Sequence, residues 1–138
     1  MYLLDTNVIS ALRRSNKADA NVRTWAGNVQ VAELFLSTIT VLEIERGILL
    51  IERRDPAQAM ILRTWFEERV LPDFAGRIFP VDVAVARRCA SLHVPDRQPE
   101  RDAMIAATAL VHGLTVVTRN VADFQATGVA LLNPWDAA

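Results

Sequence analysis

Cysteine, lysine and histidine are all scarce in this chain, and each shortage removes a class of explanation. One cysteine, Cys89, among 138 residues excludes an internal disulfide framework and a cysteine-based metal site, and it agrees with a reducing compartment. A lone thiol of this kind reads as a small buried hydrophobe. Lysine occurs once, at Lys17, against fourteen arginines, and the formal net charge is -1. That balance argues against a protein that coats nucleic acid by bulk electrostatics. It leaves local arginine contacts open, because a guanidinium fork suits phosphate and carboxylate. The two histidines, His93 and His112, stand at ordinary helical positions, which disfavours zinc.

Long apolar runs are missing as well. No stretch approaches the roughly 18 residues of a membrane span, since the best candidate is cut by Glu43, Glu45 and Arg46. The first residues reach Asp5 with no basic leader, which does not read as a signal peptide. The expectation is a cytoplasmic protein with no membrane partner.

What is present is apolar content, 51% of the chain, enough for one domain (1–138) with a real core. Tyr2-Leu3-Leu4 reads as a short buried strand, with Asp5 capping a first helix. A second helix spans Val22 to Ala26 and ends at Gly27-Asn28. Leu34-Phe35-Leu36 is the second strand, and Ser37 or Thr38 caps a helix to about Arg53. Asp55-Pro56 opens another helix, which runs to about Val70 and is stopped by Pro72. Residues 77–81 predict a third strand, and Asp82 caps a helix to about Leu92. A polar loop from Val94 to Glu100 follows, then a helix of small apolar residues from Arg101 to His112, closed by Gly113. Val116-Val117-Thr118 is a fourth strand and Ala130-Leu131-Leu132 a last one. Short apolar strands alternating with helices predict an α/β domain whose parallel sheet is covered on both faces. Sites in such sheets gather beyond the carboxyl ends of strands, where strand order reverses.

Four acids stand out against that frame. Asp5 follows the first strand, Asp123 lies shortly after the fourth, and Asp102 opens the helix between Glu100 and Gly113. Taken singly, Asp5 reads equally well as a helix cap, Asp102 as a complement to the helix dipole, and Asp123 as a solvated turn residue. A helix leading into a strand is expected to start at the opposite end of the sheet unless the preceding connection brings it across, so spacing does not bring Asp102 to Asp5. Glu43 shares a mostly apolar helix face with Ile39 and needs a partner: arginine, metal or water. Periodicity does not choose between Glu43 and Glu45, and Arg46 or Arg101 is able to neutralise Glu43 without metal. If several acids converge, their repulsion favours a divalent cation, and an all-oxygen donor set suits Mg²⁺ or Mn²⁺.

Four segments carry a resemblance: Leu3-Leu4-Asp5-Thr6-Asn7-Val8, the T-x-x-E-I-x-x-G run from Thr40 to Gly47, Asp102 to Ala109, and Val117 to Phe124. Taken in this order over nearly the whole chain, the sequence resembles the PIN-domain ribonucleases, specifically the VapC-like toxins and their FitB-like branch. The resemblance implies a three-layer α/β/α PIN-like domain with a central parallel sheet of four to five short strands. It implies that Asp5, Glu43, Asp102 and Asp123 form one acidic pocket holding one or two Mg²⁺ or Mn²⁺ ions, and it selects Glu43 over Glu45. Thr6, Thr118 and Asn120 are then supporting polar groups, with Asn120 sharing the place of the later acid, and Arg119, Arg13 and Arg14 are candidates for the RNA backbone. Gly47 is expected to admit a neighbouring backbone close to its helix. Arg101 departs from the apolar or small residue common before that aspartate, and reads as a substrate contact or a solvated side chain.

The implied activity is metal-dependent endoribonuclease action by the toxin of a toxin–antitoxin pair, cutting structured RNA of the tRNA or rRNA class. Implied partners are a VapB-like antitoxin docking on helices within about 38–70, a second copy of the chain, and DNA only through the antitoxin. An aspartyl-phosphate phosphatase wants a second acid two residues after the first, where Asn7 stands, and a receiver domain wants a late lysine. A non-catalytic PIN-fold interaction protein is the stronger rival.

Overall fold

A computed structural model describes residues 1–136. Five short parallel strands form one sheet: β1 (Tyr2–Leu4), β2 (Leu34–Ser37), β3 (Ile78–Phe79), β4 (Thr115–Val117) and β5 (Leu131–Leu132), in the order β3-β2-β1-β4-β5. The chain builds outward from β1 to β3, then returns to lay β4 on the other side of β1. Strand order therefore reverses between β1 and β4, and the crevice beyond their carboxyl ends is the natural ligand position.

Alternation along the strands explains the three layers. Successive residues point to opposite faces. Leu4, Leu36 and Val117 enter a core with Val8, Ile9, Ile44, Ile48 and Phe66, whereas Leu3 and Val116 enter a second core with Ile105, Ala106, Ala109 and Phe124. On the first face pack α1 (Thr6–Leu12), α2 (Ala20–Gly27), α3 (Thr38–Glu52) and α4 (Pro56–Trp65). On the other lies α7 (Glu100–His112), whose Ala103 and Ala107 in turn meet Val85 and the buried Cys89 of α6 (Val83–Leu92). Alanine at 103, 106, 107 and 109, all fully buried, lets α7 lie close to sheet and helix at once. The expected caps form: side chains of Asp5, Ser37, Asp55 and Asp82 accept hydrogen bonds from first-turn amides.

Three expectations are corrected. After α4 the chain passes through a π-helical turn, Phe66–Val70, and remains helical through α5 (Leu71–Asp73), so Pro72 does not stop it. The widened turn, closed by Leu71 N–H to the Phe66 carbonyl, accommodates a ring that an ideal α-helix excludes. The third strand is only Ile78–Phe79, because Pro80 has no N–H to offer the ladder. The direction of α7 is also opposite to expectation. Gly113, at φ 68°, closes the helix, and Thr115 N–H then bonds the Met1 carbonyl, so β4 begins beside the start of β1. The helix therefore ends at the amino edge of the sheet and begins at the carboxyl edge, beside Asp5.

Candidate active site

Asp5 is fully buried at the point where β1 gives way to α1. Its Oδ1 accepts the Thr6 N–H at 2.8 Å, and its Oδ2 accepts the Thr118 hydroxyl at 2.8 Å and the Asn7 amide at 3.5 Å. Thr118, at the end of β4, in turn accepts the backbone N–H of Asn120 at 3.0 Å. The two strands that border the reversal thus hold one carboxylate in a fixed orientation. Asn7 is a supporting group that sequence reasoning missed. Besides Asp5 it reaches Thr118 Oγ1 at 3.4 Å, and its own Oδ1 accepts Arg119 N–H at 3.3 Å.

Glu43 joins from α3. Thr6 Oγ1 donates to its Oε1 at 2.6 Å, so Thr6 serves two acids, one through its amide and one through its hydroxyl. Glu45 instead pairs with Arg63 of α4 at 2.5 Å, away from the cluster. Asp102, in the first turn of α7, is buried as well.

The centre of the cluster is a guanidinium. Arg101 donates from Nε to Glu43 Oε2 at 2.6 Å and from Nη2 to Glu43 Oε1 at 2.8 Å. Its Nη1 reaches Asp102 Oδ1 at 2.8 Å, and Nη2 also contacts Asp5 Oδ1. Of the expectations for Arg101, neutralisation of Glu43 is the one this geometry matches, and the pairing extends to Asp5 and Asp102, so the guanidinium is the common partner of three acids rather than a solvated side chain. Burial alone would raise the Glu43 pKa, but hydrogen bonds from Arg101 and Thr6, with the charges of Arg101 and Arg46, hold it below its ordinary value. For Arg101, burial opposes the charge, and its bonds to Glu43, Asp5 and Asp102 outweigh that and raise its pKa.

The sign of the Glu43 shift sets a pH dependence. A carboxylate whose folded pKa is depressed contributes stability that is complete above the unfolded value, 4.5, and is lost as pH falls through the folded one. Glu43→Gln is therefore expected to flatten the fall in stability below pH 4.5. Urea unfolding from about pH 3 to about pH 6 measures it, and an unchanged acid limb would contradict the pairing.

Other anticipated residues fall elsewhere. Asp123 is exposed in the 3-10 segment Val121–Thr127, and its recorded contact is a backbone N–H to the Asn120 carbonyl. Among the described residues neither Asp123 nor the exposed Asn120 side chain bonds the other three acids. Arg13 and Arg14 follow the last residue of α1, whose first turn meets Asp5; seven residues at 1.5 Å each put them roughly 10 Å away. Arg13 lines a separate groove between α1 and Trp65. The Arg119 backbone N–H meets Asn7 beside the cluster, while its guanidinium lies over the Trp135 ring at 5.3 Å. At Gly47 no atom beyond its chain neighbours and its own helical turns lies within 4 Å of where a Cβ would stand, so no neighbouring backbone among the described residues approaches it.

Chemically, the trio offers only carboxylate oxygens, the donor set that hard divalent cations take. Among the described residues no group of three or more acids, histidines or cysteines is arranged to hold an ion, and the Arg101 guanidinium lies among the three acids. Thr40, one turn before Glu43, keeps a buried hydroxyl with no hydrogen-bond partner among the described residues. The donor chemistry fits a cation, subject to movement of Arg101.

A parallel sheet ordered β3-β2-β1-β4-β5, with buried Asp5 after β1, half-buried Glu43 on α3 and buried Asp102 on α7 at its reversal, defines an α/β fold with an acidic switch-point site. The chain belongs to the PIN-domain family, whose domain matches residues 2–129, and within it to the branch of VapC-like and FitB-like proteins. It is 39% identical over 141 residues to toxin FitB of Neisseria gonorrhoeae, covering 98% of this chain and 99% of that one. It is 37% identical over 145 residues to the VapC ribonuclease Y4jK of Sinorhizobium fredii, covering 100% of both. Among solved structures, FitAcB from Neisseria gonorrhoeae superimposes with a TM-score of 0.90 at 37% identity, over 99% of this chain and 100% of that one.

Proposed function

We propose that the chain is the toxin of a toxin–antitoxin pair, acting as a Mg²⁺- or Mn²⁺-dependent endoribonuclease on structured RNA of the tRNA or rRNA class. The observation that carries this reading is the meeting of Asp5, Glu43 and Asp102 at the β1/β4 reversal. Relatives named as a ribonuclease and as a toxin, matched over essentially their full length, support it.

Asp5 and Asp102 are the proposed direct ligands, with Glu43 holding a second ion or a water, and Asp123 assisting from the rim. When bound, one or two ions would supply charge stabilisation for the scissile phosphate and acidify a water. Thr6 and Thr118 do the orienting, since each hydroxyl fixes one carboxylate oxygen and leaves fewer rotamers for the acid to sample. Arg119, exposed beside Thr118, is placed to meet a phosphate of the RNA.

A groove of about 290 Å³ separates α1 from the end of α4, lined by Ile9, Leu12, Trp65 and Val70 with Arg13 and Arg69 at its edge. Its apolar floor and charged rim suit an amphipathic helix of the antitoxin, docking on the 38–70 helices. A second copy of the chain is the other proposed partner; Leu49 and Leu50 of α3 and Met60 and Ile61 of α4 are exposed. A solved relative is FitAB bound to a DNA fragment, and we assign DNA contact to the antitoxin. Among the described residues no helix is long and apolar enough to cross a membrane; action in the cytoplasm, where the RNA is, completes the proposal.

Labelled tRNA and rRNA fragments incubated with purified chain test it. Internal cleavage is expected with Mg²⁺ or Mn²⁺ and is expected to stop with EDTA. Undiminished cleavage in EDTA would refute the metal requirement. The competing reading, a non-catalytic interaction protein, draws on the arginine among the acids and requires no cleavage with any divalent ion.

A further inference from the structure

We propose that Arg101 is a built-in counter-ion that holds the acidic site shut in the metal-free chain and must leave before a divalent cation enters. The inference rests on the cation site proposed above. It adds that the site has two states, and that a residue of the chain itself sets how much cation is needed to switch them.

The contacts make the competition explicit. Arg101 engages four carboxylate oxygens: Asp5 Oδ1, Glu43 Oε1 and Oε2, and Asp102 Oδ1. Asp5 Oδ2 is taken by Thr118 and Asn7. A divalent ion needs these same oxygens, and a guanidinium among them repels it. Three carboxylates around one guanidinium leave the closed site formally two charges negative, so it still attracts a cation of higher charge.

Arg101 is also built to leave. Its side chain is 35% exposed, whereas that of Asp5 is 0% and that of Asp102 12%. Asp5 is fixed by Thr6, Thr118 and Asn7, and Glu43 is held by Thr6, while the arginine reaches in from the rim. Residue 101 is the second of α7, so a change of its rotamer leaves the helix and its alanine-packed face in place. Arginine alone among the basic residues spans this set, because its planar fork places separate N–H groups on different acids. Without it the acids would repel one another, which gives the chain a reason to carry an arginine among prospective ligands.

The test compares wild type, Arg101→Gln and Arg101→Lys, all full length, by Mn²⁺ titration calorimetry and by thermal unfolding with and without Mn²⁺. A site closed nine-tenths of the time or more binds at least about tenfold more weakly than its open form. Arg101→Gln is therefore expected to bind Mn²⁺ at least about tenfold more tightly than wild type. It is also expected to melt lower without the ion and to gain more on its addition. Arg101→Lys, keeping charge but losing the fork, is expected to fall between, and it serves alone if the glutamine variant does not fold. In wild type, the Arg101 Nε–H resonance is expected to shift towards that of a solvated arginine as Mg²⁺ saturates. Equal Mn²⁺ affinity in wild type and variants, or an Arg101 resonance unmoved at saturation, would overturn the displacement while leaving the cation site standing. Absence of Mn²⁺ binding in all three would remove the site and this inference with it.

Discussion

Asp5→Asn is expected to lower metal-dependent RNA cleavage by at least about 100-fold while the protein remains folded. Loss of a group that merely orients a ligand costs about 10- to 100-fold, and a direct ligand costs more. Asp5 has the strongest geometric claim of the four acids. It is fully buried, its two oxygens are fixed by Thr6, Thr118 and Asn7, and it stands at the strand reversal. Asparagine keeps one oxygen to accept the Thr6 amide, so the cap of α1 survives, while its amide nitrogen no longer accepts from the Thr118 hydroxyl or the Asn7 amide. The stability cost is then about 1–3 kcal/mol, that of an imperfectly satisfied buried group. Alanine is a worse control, because it also removes the oxygen that caps α1 and leaves the Thr6 amide and the Thr118 hydroxyl without their partner, each costing about 1–3 kcal/mol, which confuses unfolding with lost chemistry. Asp123→Asn makes the useful contrast: exposed and unbonded to the trio, it is expected to lose less activity than Asp5→Asn. RNA cleavage at saturating Mg²⁺, with circular dichroism as the check on folding, decides. Equal activity of wild type and Asp5→Asn would reject Asp5 as a ligand.

Much of the fold was legible from local pattern, whereas the gathering of the acids was expected only through the resemblance, and the difference has a physical cause. Asp5, Ser37 and Asp82 as caps and Pro56 at a first helical position each mark a helix start, so those four starts followed from local chemistry. The layered fold followed from short apolar strands separated by helices. The trio did not follow, because it depends on the direction of α7, and that is set by pairing of β4 with β1, 113 residues away in sequence at Tyr2 and Thr115. Arg101 meets Glu43 across 58 residues and Asp5 across 96, contacts that no helical or strand period encodes. Glu43 and Glu45 were indistinguishable by period; the structure separates them through Arg63, which draws Glu45 to α4. Asp123 was placed with the trio by resemblance, and here its neighbour Phe124 takes the inward position instead.

That inward position carries the largest expected effect on stability. Phe124 is 1% exposed and packs with Leu3, Ile105, Ala106, Leu114 and Val116. It anchors the 3-10 segment linking β4 to β5, where Thr127 Oγ1 donates to the Phe124 carbonyl at 2.6 Å and Gly128 takes φ 75°. Phe124→Ala removes a ring from between α7 and the sheet, and the surrounding alanines have no atoms to extend into the space. The expected cost is about 3–5 kcal/mol. In a chain of this size each kcal/mol lowers the midpoint by about 3–5 °C, so Tm is expected to drop by roughly 10–20 °C. Phe124→Leu keeps most of the volume and is expected to cost less than about 1.5 kcal/mol. The functional consequence follows from the connection, since the anchored segment leads straight back to Thr118 and Asn120. Once it loosens, Asn120 N–H no longer holds the Thr118 hydroxyl on Asp5. The alanine variant is therefore expected to lose activity at temperatures where it is still folded, and the leucine variant is not. Calorimetry paired with cleavage assays below the lower Tm checks both, and a midpoint shift of only a few degrees for Phe124→Ala would show that the ring does not close this core.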